Sequence, residues 1–179
     1  MRNLRFIHLL WVAISLPVMG WAGSWSCDVG PRVERTWELY WENGAEVECS
    51  LANVFGGHLG LGASVTSTRI GSAWNSNALR QEQYLVNSAW NFRLQKRVRP
   101  YVNLSAGWFW LDVGPAIFDV IPHSSPLLVL GSGARVGIWG PISWNAGFGY
   151  HLITGDGKSG PGSIYPLFLH TSVQWRIPG

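Results

Sequence analysis

From residue 25 to residue 177 apolar side chains recur at every second position in eight separate segments, and no other feature constrains the fold as strongly. Successive side chains of an extended strand point to opposite sides, whereas a helix repeats every 3.6 residues, so this period reads as strands whose two faces meet different surroundings. In 25–37 one row reads Trp25, Cys27, Val29, Pro31, Val33 and Trp37, with Arg35 the exception, and the other reads Ser26, Asp28, Gly30, Arg32, Glu34 and Thr36. The pattern returns over 41–51, 58–68, 84–94, 101–110, 128–138, 142–152 and 165–177. With 47% hydrophobic and 13% charged residues the chain is not a disordered one, and 2 Cys exclude a disulfide-dense scaffold. After residue 22 no apolar run reaches the roughly 18 residues of a membrane helix.

Residues 1–22 read as a secretory signal peptide. Arg2 and Arg5 precede an apolar stretch over 6–19, and Gly20-Trp21-Ala22 supplies the small residues of a cleavage site. The remaining 23–179 is one domain's length. Removing the two leader arginines brings the formal charge from +3 to +1, so the basic balance predicts no nucleic-acid partner.

The polar rows carry Asp28, Arg32, Glu34, Glu42, Glu46, Glu48, Arg93, Arg135 and Arg176, while the apolar rows carry large aromatics near the segment ends. Charges cannot face hydrocarbon, and aromatics gather where hydrocarbon meets water. The expected fold is therefore all-β: an eight-stranded antiparallel up-and-down transmembrane β-barrel, apolar outside and polar inside. Connections at 52–57, 95–100 and 139–141 are short, and those at 71–77, 113–125 and 154–163 are longer. Short turns belong to the periplasm, which predicts a bacterial outer-membrane location with both termini periplasmic, and outer-membrane lipid and lipopolysaccharide as surroundings. Eight strands leave a lumen only wide enough for side chains. Arg32, Glu34, Glu42, Glu46, Glu48, Arg93, Arg135 and Arg176 are expected to neutralise one another there, as a plug or, alternatively, as a gate whose ion pairs switch.

Cys27 and Cys49 would face each other if the first hairpin turned at Glu38, whereas Asn43-Gly44 is itself a strong hairpin signal and would bring Cys49 opposite Glu38; a disulfide depends on which register is adopted. The histidines of the mature chain are scattered singly, so no metal site and no cofactor is expected. Two nucleophile-like patterns stand out: His123-Ser124-Ser125 in a loop and His170-Thr171-Ser172 on the last strand.

Over most of its mature length the chain resembles the small eight-stranded outer-membrane barrels of the OmpA type. Its second half is similar to the PagL-like lipid A deacylases in Arg99-Pro100-Tyr101-Val102-Asn103-Leu104-Ser105-Ala106-Gly107, in Tyr150-His151 followed by a Gly/Pro-rich stretch to Gly162, and in Gln174-Trp175-Arg176-Ile177-Pro178. That family carries His-x-Ser-Asn at this point and an acidic residue further on. Here His151 matches the His, Ile153 and Thr154 stand at the Ser and Asn positions, and the acidic position falls near Tyr165. The resemblance implies a lipid A acyl hydrolase with His151 and Thr154 as its candidate pair. Strand parity instead turns His151 toward the lumen, and the alternation alone requires no more than a non-enzymatic barrel that stabilises the membrane or presents its loops to an external partner whose nature it does not name.

Overall fold

In the computed structural model eight antiparallel strands follow one another around a closed barrel: β1 (Trp25–Thr36), β2 (Trp41–Leu51), β3 (Leu59–Ser72), β4 (Asn75–Asn91), β5 (Val98–Asp112), β6 (Ser124–Trp139), β7 (Ile142–Thr154) and β8 (Leu167–Pro178). The structure describes residues 25–36, 41–51, 55–72, 75–112, 124–154 and 167–178, so residues 1–24, His123 and the connections at 113–123 and 155–166 lie outside it. Pairing of β1 with β8 leaves no sheet edge. One row of partners runs from Ser26 through Ser50, Gly60, Ala89, Asn103, Gly131, Gly149 and Phe168 and returns to β1 at Thr36, ten residues on. That stagger tilts the strands and sets which luminal side chains meet across the barrel.

The period-two pattern sorts the faces as expected. Leu104, Leu130, Phe148 and Trp175 are 50%, 52%, 50% and 54% exposed on the outside, whereas Ser105, Arg135 and Gln174 are 2%, 4% and 1% exposed. Two groups of outward aromatics flank the aliphatic band. Trp108, Trp110 and Tyr150 lie toward the end that carries the long connections, and Trp90, Trp144 and Trp175 lie toward the end that carries the chain termini.

Strand lengths depart from the expectation at several points. Residues 71–77 are not a long loop: β3 continues to Ser72 and β4 begins at Asn75, with Ser72 opposite Asn75. The segment Asn75–Gln83 has no apolar alternation, but ladder hydrogen bonds form between backbones and need none where a hairpin runs past the apolar band. Likewise β5 begins at Val98 and β6 at Ser124, while β4 stops at Asn91, which puts Phe92, Arg93 and Leu94 in a turn.

Asn43-Gly44 is not a turn. It lies inside β2, with Asn43 opposite Val33 and Ser67 and Gly44 opposite Arg32 and Thr66. A Cβ at Gly44 would collide with the carbonyl oxygen of Val65, so glycine is present for close backbone approach rather than for a left-handed conformation. Arg35 pairs with Trp41, and Cys27 stands directly opposite Cys49.

Candidate functional site

The polar rows converge on the lumen because inward side chains of a small barrel have nowhere else to go. Glu46 is the hub. Its Oε2 accepts a hydrogen bond from Arg32 Nη1 at 2.6 Å. Its Oε1 accepts from Gln174 Nε2 at 2.6 Å, from Asn145 Nδ2 at 3.2 Å and from the Ser172 hydroxyl. Arg32 also donates through Nε to Glu34 at 2.6 Å, so one guanidinium bridges two carboxylates. Nearer the terminus end both Nη groups of Arg135 donate to Glu48, and Asn91 Nδ2 supports the same carboxylate at 3.2 Å. The guanidinium of Arg135 sits over the Tyr101 ring, 5.3 Å from its centroid. Arg176 closes this end with a two-pronged contact to Asp28, Nε and Nη2 at 2.9 and 2.8 Å. Glu42 stands opposite Glu34 across β1 and β2 and accepts from Thr66 Oγ1 at 3.1 Å and Gln83 Nε2 at 2.9 Å.

Seven of the eight charged residues singled out in the sequence thus face the lumen. Arg93 does not: it lies beyond the end of β4, exposed, in the following turn. Parity carries a side chain inward only while the strand continues, and here it stops two residues earlier. Asp28 joins the network as the partner of Arg176.

A second layer was hidden in the polar rows. Leu85, Phe109, Leu127, Val129 and Phe168 form a buried apolar cluster inside the barrel, toward the long-connection ends of β5, β6 and β8. They sit at luminal parity, singly in β4, β5 and β8 and as the pair Leu127 and Val129 in β6, so in sequence they read as exceptions to their rows. Between the two layers lies a cavity of about 30 Å³ touched by Arg32, Glu46, Tyr101, Arg135, Phe168 and His170. That is room for one or two water molecules and not for a hydrated solute.

The nucleophile-like patterns come apart in the structure. Ser124 and Ser125 open β6 rather than lying in a loop, and the Ser125 hydroxyl donates to the Pro126 carbonyl at 3.1 Å. Ser172 is bound to Glu46, while His170 Nε2 shares a 2.7 Å hydrogen bond with the Tyr101 hydroxyl. His151 is buried, its ring stacked on luminal Phe168 at 4.9 Å, while its neighbours Tyr150 and Leu152 are exposed outside. A register shift does occur in β7: Val129 pairs with His151 and Leu128 with Ile153. It falls on the far side of His151, one residue too late to turn the imidazole toward lipid. Thr154 is the last residue of β7, opposite Leu127, and its side chain lies outside the described residues.

Cys27 and Cys49 are joined as a disulfide between neighbouring strands, at a Cα separation of 4.0 Å. Thiol alkylation of the unfolded protein is expected to label no cysteine before reduction and both afterwards. Labelling without reductant would show the bridge absent.

No protein-family model and no curated relative matches the chain. Among solved structures, it is similar to the N-terminal β-barrel domain of Pseudomonas aeruginosa OprF, with a TM-score of 0.57 and 10% identity over 85% of this chain and 97% of that one. It is similar to Neisserial surface protein A, with a TM-score of 0.55 and 12% identity over 86% and 95% of the two chains. It is also similar to Ail of Yersinia pestis in complex with the heparin analogue sucrose octasulfate, with a TM-score of 0.54 and 18% identity over 87% and 99%. At such identities the likeness is one of architecture, and it does not extend to the deacylase resemblance: the chain has the closed eight-stranded fold of the small outer-membrane β-barrels.

Proposed function

We propose that the protein is a non-enzymatic outer-membrane barrel whose lumen is closed by its own side chains, and which stabilises the membrane or presents the connections at 113–123 and 155–166 to an external partner. The observation that carries this reading is the inversion of the usual globular order: full charges are paired inside and a continuous aliphatic band with aromatic borders lies outside. Phospholipid and lipopolysaccharide are the lipids such a band would meet. The short turns after β2, β4 and β6 favour a periplasmic side shared with both termini. Residues 1–22 would direct export, and a disulfide suits an oxidising compartment outside the cytoplasm.

The test is conductance of the purified mature protein in planar bilayers. Charged and apolar layers in series fill the lumen among the described residues, so rare and small openings are expected. A steady porin-scale conductance would exclude a side-chain plug. The catalytic alternative is tested through His151. Replacing it by Ala should leave the acylation of lipid A in expressing cells unchanged and lower barrel stability by no more than about 1–2 kcal/mol, the scale of a lost buried contact. Loss of one lipid A acyl chain on expression of the wild type, abolished by His151→Ala, would overturn the non-enzymatic reading.

A further inference from the structure

At the terminus end the exposed charges of the described residues are of a single sign. The β4–β5 turn presents Arg93, Lys96 and Arg97, all exposed. The acidic groups of this end, Asp28 and Glu48, face the lumen and are engaged by Arg176 and Arg135, so among the described residues no acidic side chain is exposed beside the three cations. Their placement is held by the backbone. Phe92 N–H donates to the Pro100 carbonyl at 2.8 Å, and Lys96 N–H donates to the Arg93 carbonyl at 2.9 Å. Arg97 ties this turn to the next hairpin: its Nε donates to the Gly137 carbonyl at 3.0 Å, and Gly137 N–H returns a bond to the Arg97 carbonyl at 2.9 Å. Arg93 also holds φ at 52°, a left-handed conformation that Gly or Asn adopts with less steric cost.

The same turn is bordered by apolar surface. Trp90 and Val98 are exposed on its strands and Phe92 in the turn itself, and Ile138 and Trp139 follow Gly137, Trp139 being 79% exposed. These side chains continue the lipid-facing band. A ligand that satisfies the whole patch must therefore carry an anionic head and an apolar body together, because a free phosphate or a polyanion would engage the cations and leave Trp139 in water.

We propose that Arg93, Lys96 and Arg97, bordered by Trp90, Phe92 and Trp139, form a binding site for the headgroup of an anionic glycerophospholipid in the leaflet nearest the chain termini. The inference rests on the membrane orientation given above. The phosphate would sit among the cations, with the aromatic rings at the depth of the glycerol and upper acyl chain, where Trp side chains partition.

The folded mature protein, in micelles containing equal phosphatidylglycerol and phosphatidylcholine of the same acyl length, is read by native mass spectrometry for retained lipid. Each cation near an anionic surface contributes about fivefold in affinity. The wild type should therefore retain phosphatidylglycerol in at least tenfold preference, and Arg93→Gln, Lys96→Gln and Arg97→Gln combined should bring the two lipids close to parity. Equal retention by the wild type, or a preference that survives the triple substitution, would overturn the site. So would competition in which lipid A displaces phosphatidylglycerol through the same three residues. Should the triple variant not fold, Lys96→Gln alone should lower the preference about fivefold, and an unchanged preference would count against the proposal. Insertion into pure phosphatidylcholine vesicles, followed by heat-modifiable migration on gels, tests the barrel reading separately, since it requires no anionic lipid.

Discussion

Glu46→Ala is expected to lower the stability of the folded barrel by about 3–5 kcal/mol, the scale for removing one partner of a buried ion pair. The residue is 7% exposed and accepts from Arg32, Ser172, Gln174 and Asn145. Truncation leaves Arg32 with Glu34 as a carboxylate partner and removes the acceptor shared by three neutral donors inside a lumen too narrow to rehydrate them all. Urea titration in micelles or bilayers, followed by tryptophan fluorescence and gel mobility, measures the loss. A change below about 1 kcal/mol would mean that the hub is not assembled as described. The conservative Glu46→Gln keeps an acceptor oxygen and should cost less. Arg32→Met should cost at least as much, because it leaves both Glu34 and Glu46 buried without the guanidinium that bridges them.

Leu130→Arg should impair insertion by about 2–4 kcal/mol, the cost of an arginine near the bilayer midplane on a barrel's lipid face. Leu130 is 52% exposed, lies near the middle of β6 and is flanked by outward Leu104 and Tyr150 on the neighbouring strands. Depth provides the control: Ile138 is also 52% exposed but lies next to the β6–β7 turn, so Ile138→Arg should cost no more than about 1 kcal/mol. Folding yields into liposomes that are equal for the two variants would contradict the assignment of the outer face.

The alternation was legible because it is local. Whether Leu104 faces out and Ser105 faces in depends only on the pleat, and a lipid exterior demands the pattern along each strand that crosses it. Where that demand lapses, the reading weakened. The segment Asn75–Gln83 lacks alternation and is nevertheless strand, and Arg93 was carried inward by a parity that ended at Asn91. At Asn43-Gly44 a strong turn signal lost to tertiary context, because β2 needs a glycine where Val65 of β3 passes close. The apolar cluster of Leu85, Phe109, Leu127, Val129 and Phe168 is drawn from four strands, each contributing what looks like an error in its own polar row.

Strand parity alone assigns the faces, the number of crossings and the signs of the charges that have to be buried. Only the closed structure decided which charges meet. Glu48 and Arg135 are 87 residues apart, and Glu46 and Ser172 are 126 apart. Their juxtaposition follows from the pairing of β1 with β8 and from the ten-residue stagger around the barrel. Side-chain parity is a property of one strand, whereas register is a property of all eight at once: a two-residue shift at any single pairing would keep every face and repartner the interior.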